Sequence, residues 1–137
     1  SFDIMLMKKV VSWLAPLLKN TDIEIIEAHH NRKVDSPSGT AQMLADSINE
    51  SLGNTLHCEY NRHDKHEKRD KNEIGMSSIR GGNIVGEHSV QFIGNFETFE
   101  IKHTSYSRNV FAEGALRAAE FIVNQQPGMY AMEDMSF

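Results

Sequence analysis

Met7, Val10, Val11, Leu14, Leu17 and Leu18 recur at spacings of three and four. This places them on one face of an amphipathic helix running from about Ile4 to Lys19. Asp3 stands where an N-cap is expected. Pro16 opposes the last turn, because an interior proline removes a hydrogen bond and crowds the turn before it, so the helix ends or bends there. Residues 22–28 are rich in β-branched side chains with partial alternation and read as a strand. A loop follows over residues 29–40, where Pro37 drives Ser36 out of the helical region and Gly39 adds freedom. A second helix is predicted from Thr40 to Leu52. Leu44, Ile48 and Leu52 repeat every fourth position, Ala41 and Ala45 lie beside them, and Gly53-Asn54 marks the stop.

Leu56 to Tyr60 reads as a short strand. No apolar residue lies between Arg62 and Glu73, and five acids and five bases fall between Glu59 and Glu73, the pattern of a solvated, mobile loop. Ile74 to Arg80 is a strand and Gly81-Gly82 a turn. Glu87–Ile93 and Phe96–His103 form a hairpin joined at Gly94-Asn95. Both faces of its second arm carry an aromatic residue, so alternation leaves open which face is buried. Asn109 or Ser107 caps a last helix through Asn124, with Phe111, Ala115, Ala118, Ala119 and Ile122 as its apolar face. Residues Gln125 to Phe137 read as an irregular tail broken by Pro127-Gly128. The order of elements predicts an α+β domain. The hairpin requires antiparallel pairing, and the strand–loop–helix–strand unit allows one parallel pair.

With 137 residues, no internal repeat and no Gly-Pro-Ser linker, the chain fits one domain able to bury a core unaided. Its 14 basic and 19 acidic residues give a net charge of -5, which argues against a nucleic-acid or polybasic membrane partner. Cys58 is the only cysteine, so neither an intrachain disulfide nor a multi-cysteine metal site can form, and a reducing, cytoplasmic compartment is expected. No apolar run reaches the length of a membrane span. Lys8 and Lys9 interrupt the N-terminal apolar stretch, which does not read as a signal peptide. The chain starts at Ser1 directly on a helix-like pattern, as a fragment would.

The segment after the first strand carries the candidate chemistry. His29, His30, Arg32 and Lys33 gather proton donors within five residues, and Ser38-Gly39-Thr40 opens a helix. The first amides of a helix lack internal partners and lie at the positive end of its dipole, so they can hold a carboxylate or phosphate. The arrangement reads either as an anion pocket beside a general acid/base or as a plain helix cap and turn. Adjacent histidines in an extended chain point to opposite sides and rarely share an ion. No metal-binding histidine spacing is present, and no metal is expected. Residues 81–88 are glycine-rich without matching a dinucleotide fingerprint, and Arg80 and His88 at its ends remain candidate site residues. Cys58 reads as a small buried residue rather than a nucleophile.

Residues 27–41, Glu-Ala-His-His-Asn-Arg-Lys-Val-Asp-Ser-Pro-Ser-Gly-Thr-Ala, closely resemble the E-A-H-H-x-x-K-x-D-A-P-S-G-T-A signature of the dihydrodipicolinate reductases, departing from it at Ser36. Residues 80–88 resemble the family's R-x-G-x-x-V-G-E-H stretch, and residues 107–115 its S-R-x-x-F-A-x-G-A. The resemblance implies that residues 1–137 form the C-terminal, substrate-binding and tetramerising domain, without the glycine-rich Rossmann domain that precedes it in the family. It implies a mixed sheet of four to five strands, with helices on one face and an apolar other face used for oligomerisation into a homotetramer. It also leaves the face of Phe111, Ala115 and Ile122 partly uncovered. By matched position, His29 is the acid/base and Lys33 the proton donor. His30 binds substrate, and Ser38, Gly39 and Thr40 hold a carboxylate of a small dicarboxylate. NADH or NADPH supplies hydride in the diaminopimelate route to lysine. The cofactor is bound mainly outside these residues, so the chain alone is expected to be inactive. A non-enzymatic dicarboxylate-binding or assembly module is the alternative.

Overall fold

A computed structural model describes residues 1–135. Helix α1 (Phe2–Leu14) leads to strand β1 (Asp22–His29), helix α2 (Gly39–Ser51) and the short strand β2 (His57–Glu59). Strands β3 (Glu73–Arg80), β4 (Gly86–Ile93) and β5 (Thr98–Ser105) follow, then helix α3 (Asn109–Ile122) and a 3₁₀ turn at Met132–Asp134. The five strands form one mixed sheet in the order β2-β3-β1-β4-β5. This is the expected α+β class, with two parallel pairs rather than one: β3 lies parallel to both β1 and β2, while β4 runs antiparallel to β1 and β5.

Helix α1 stops earlier than its periodicity suggests. Its last residue is Leu14, and a run of turns replaces the final stretch to Lys19, because Pro16 has no N–H to continue the ladder. Leu18 still packs against the core from that turn. The helix also begins earlier than expected. Ser1 occupies the N-cap without a side-chain bond, and Asp3 lies in the first turn instead, where the helix dipole favours a carboxylate.

One face of the sheet builds the core. Ile23 and Ile25 of β1 stand beside Ile74 and Met76 of β3 and Phe92 and Val90 of β4. Met7 and Val11 of α1 and Leu44, Ala45 and Ile48 of α2 close over them. Alternation carries this face on to Glu27 and His29, in register with Ser78 and Arg80 of β3, and Glu27 in register with His88 of β4. The polar end of the helix-covered face is therefore a continuation of the core stripe.

The opposite face is not the apolar surface expected of it. Ile26, Ala28 and Ile79 share it with charged and polar side chains: Ser89 donates to Glu100 and Lys102 pairs with Glu87. Residues 60–72 are the crossover that the parallel β2–β3 pair requires, since such a pair cannot be closed by a tight turn. The segment is exposed, as its composition predicts, but it is tied down. Arg62 binds Glu24 at 3.0 Å and also Glu73, Lys65 binds Glu59, and Arg69 reaches Glu24, Asp22 and the Ile23 carbonyl.

Helix α3 stands away from the sheet. Gly114 is buried against Ser1, and the Arg117 guanidinium lies 4.8 Å over the Phe2 ring. Phe111 and Ile122 remain about half exposed, as anticipated for this face. Neither predicted cap residue occupies the N-cap, which is Arg108, although Ser107 Oγ accepts the Asn109 amide. The irregular tail is interrupted by the 3₁₀ turn, and its last two positions, Ser136 and Phe137, lie outside the described residues.

Candidate active site

Glu27 is the centre of the polar end of the sheet, with only 1% of its surface exposed. Arg80 meets its carboxylate with both guanidinium arms, Nη2 to Oε1 at 2.7 Å and Nη1 to Oε2 at 2.9 Å. His29 Nδ1 donates to Oε2 at 2.5 Å, and the Ser38 amide donates to Oε1 at 3.2 Å. Burial alone raises a carboxyl pKa. Here it is outweighed by the hydrogen bonds from Arg80, Ser78 and His29 and by the Arg80 charge, which bring Glu27 down to about 2. Arg80 Nη2 also donates to the Asp35 carbonyl at 2.7 Å, fixing the loop that carries Lys33.

Ser38 is the N-cap of α2. Its hydroxyl accepts the Ala41 amide at 3.1 Å and is hydrogen-bonded to His88 Nε2 at 2.8 Å. Burial, and then the nearby His29, depress the His88 pKa to about 4, so His88 is neutral near pH 7. Its ring lies edge-on to that of His29, with centroids 5.2 Å apart.

The structure thus brings together His29, Ser38, Arg80 and His88, four residues marked in the sequence from three strands and a helix start. It gives Ser38 more internal work than an anion-binding hydroxyl would have, since both its amide and its Oγ are engaged within the chain. Gly39 and Thr40 follow as the first helical residues, and their amides have no acceptor within the helix. Lys33 Nζ lies 2.8 Å from Asp35 Oδ1 and holds that carboxyl below its usual range. Arg32 donates to Asn83, which fastens the same loop to the turn after β3.

His30 Nδ1 is buried with no hydrogen-bond partner among the described residues. Desolvation and the charges of Arg32, Arg108, His29 and Lys33 lower the His30 pKa. Sequence pattern did not single out Glu27 and Arg108 as site residues, although both lie within the quoted motifs. The signal for Glu27 was a carboxylate in register with the core positions of a strand. Cations supplied by the 29–33 loop and by the start of α3 surround this end of the sheet, while its anchoring carboxylate is already satisfied. The vicinity suits an added anion.

An open cleft of about 500 Å³ is lined by Ser36, Pro37, Tyr60, Met76, Ser77 and Ser78. His29, Lys33 and Thr40 do not line it. Among the described residues no group of three or more His, Cys, Asp or Glu side chains is arranged to hold a metal ion, and no helix is long and apolar enough to cross a membrane. The Gly81-Gly82 turn opens into strand β4 rather than a helix.

Comparison with known proteins places these features in a family. Residues 3–135 match the family model described as dihydrodipicolinate reductase, C-terminus. The chain is 55% identical over 132 residues to the 4-hydroxy-tetrahydrodipicolinate reductase of Brachyspira hyodysenteriae, covering 96% of this chain and 57% of that protein. It is 48% identical over 136 residues to the reductase of the same name from Staphylococcus carnosus, covering 99% and 56%. The chain therefore spans little more than half the length of these relatives. A solved structure, dipicolinate-bound dihydrodipicolinate reductase from Paenisporosarcina sp. TG-14, superposes with a TM-score of 0.75 at 27% identity, over 97% of this chain and 51% of that one. With residues 3–135 matched and its mixed sheet shared, the chain belongs to the dihydrodipicolinate reductase C-terminal family.

Proposed function

We propose that residues 1–137 are the substrate-binding and tetramerising domain of a 4-hydroxy-tetrahydrodipicolinate reductase. That enzyme uses NADH or NADPH and yields tetrahydrodipicolinate on the route to diaminopimelate and lysine. The observation that carries this reading is the placement of His29, oriented by Glu27, beside the start of α2, with Lys33 on the tethered loop between them.

In this reading the Gly39 and Thr40 amides and the Thr40 hydroxyl receive one ring carboxylate, at the positive end of α2. Ser38 holds that helix start in place. Lys33 and His30 meet the substrate from the loop, Lys33 exchanging its Asp35 partner for the incoming anion. A bound nicotinamide supplies hydride to the unsaturated ring. The glycine turns of this chain do not fit a dinucleotide, so the steps assigned to it are binding and protonation. Lys33 delivers the proton to the ring atom beside the hydride acceptor, and His29 does so from Nε2 when its ring is the imidazolium. The relative solved with dipicolinate bound supports a small planar dicarboxylate as the ligand class. Assembly as a cytoplasmic homotetramer through the mixed polar and aliphatic sheet face completes the proposal.

The test is calorimetric titration of the chain with pyridine-2,6-dicarboxylate in EDTA, which prevents metal chelation by the ligand. Saturable binding that is lost in Lys33→Ala and in Thr40→Ala is expected. Binding unchanged in both variants would refute the assignment of the pocket. These residues alone should not turn over NADH or NADPH.

A further inference from the structure

We infer that Glu27 is a positioning residue for proton transfer: its carboxylate keeps the His29 proton on Nδ1, presents Nε2 as the exchanging nitrogen, and ties that ring to both the helix start and the Lys33 loop. The inference rests on the reading of His29 as the acid/base. The geometry is specific. An ionised carboxylate can only accept, so the 2.5 Å contact between Glu27 Oε2 and His29 Nδ1 requires a proton on Nδ1. The other ring nitrogen is then free of a proton in the neutral ring. It faces Gly86, where an added Cβ would stand 3.2 Å from Nε2, so the neighbouring strand places no side chain there.

Two further partners make Glu27 more than a tautomer lock. Its Oε1 takes the Ser38 amide, so the carboxylate spaces His29 from the first turn of α2. Arg80 grips both carboxylate oxygens and also the Asp35 carbonyl. A movement of Glu27 would therefore disturb the proton donor, the carboxylate-binding helix start and the Lys33 loop together. The same logic holds a catalytic imidazole in one tautomer in hydrolytic triads.

The experiment is a long-range ¹H–¹⁵N correlation spectrum of the labelled chain, recorded at about pH 8.5, where an ordinary imidazole is neutral. His29 should show a protonated Nδ1 and a bare Nε2. In Glu27→Gln the single tautomer should be lost, and affinity for pyridine-2,6-dicarboxylate should fall several-fold. Glu100→Gln, on the other face of the sheet, should change neither. A proton on Nε2 in the unaltered chain, or an unaltered tautomer in folded Glu27→Gln, would overturn the inference. If Glu27→Gln fails to fold, the spectrum of the unaltered chain still decides. The tautomer needs no ligand, so a chain with the expected tautomer that does not bind the dicarboxylate would remove the dicarboxylate reading and leave the Glu27–His29 relationship standing.

Discussion

The carboxylate of Glu24 occupies the space in which a side chain at Gly75 would stand. The two residues are register partners on β1 and β3, and an added Cβ on Gly75 would lie 1.9 Å from Glu24 Oε2. That carboxylate anchors Arg62 and Arg69, so the missing side chain is what lets the crossover lie against the sheet. Gly75→Ala should displace Glu24, take one partner from each arginine and cost about 1–3 kcal/mol, the usual penalty for overpacking. Urea denaturation would measure it. Faster proteolysis within residues 60–72 should accompany it.

Acid should destabilise the chain in two stages of the same sign. His88 has a folded pKa of about 4 against 6.5 for the free side chain. Between these values the unfolded state binds more protons, so stability falls as pH drops through that window. The full shift corresponds to about 3 kcal/mol at most. Glu27, at about 2 against 4.5, gives stability that is present above pH 4.5 and lost as pH falls toward 2. Thermal melts from pH 7 to 4 should show the first stage, and His88→Asn should flatten it.

Ser38→Ala removes one hydroxyl with two duties. The Ala41 amide loses its cap and the buried His88 Nε2 loses its partner. Loss of the cap alone costs about 0.5–2 kcal/mol, and the orphaned imidazole adds to it. Chemical denaturation should therefore place this variant at or above the top of that range. Ser38→Thr, which keeps the hydroxyl, should recover most of the difference.

The two long apolar helices should respond differently to truncation. Leu44 of α2 is fully buried, and Leu44→Ala should cost about 2–5 kcal/mol. Phe111 of α3 is 55% exposed, and Phe111→Ser should change stability by less than about 0.5 kcal/mol. It should instead reduce self-association or dye binding at that surface. Equal losses from both substitutions would show that α3 is packed in solution.

Where pattern and packing coincide, the sequence was legible. Leu44, Ile48 and the neighbouring alanines predicted α2, and Gly94-Asn95 predicted the β4–β5 hairpin, because the same side chains that set the period also fill the core. The loop expected over residues 29–40 and its cap at Ser38 were visible for a local reason too, although His29 ends β1 and Gly39 already begins α2. Legibility failed where the partner is distant. The pairing of Arg62 and Arg69 with Glu24 converts an apparently solvated run into a tethered crossover, and charge composition cannot supply that partner. The periodicity of α3 resembles that of a core helix, yet its apolar face meets little of this chain. The outer sheet face was expected to be apolar from the family resemblance, and its Glu87–Lys102 and Ser89–Glu100 pairs join residues of different strands that local pattern does not connect.

The contacts around Glu27 also impose an order of completion during synthesis. His29 and Ser38 leave the ribosome early, but Arg80 lies 53 positions after Glu27 and His88 lies 50 after Ser38. Strand β3 must also insert between β2 and β1, both made before it. Until β3 emerges, the nascent chain carries Glu27 without its guanidinium partner on the strand that will become the centre of its sheet. A product truncated before residue 80 would have the family's longest motif intact without the guanidinium that grips Glu27 and the Asp35 carbonyl.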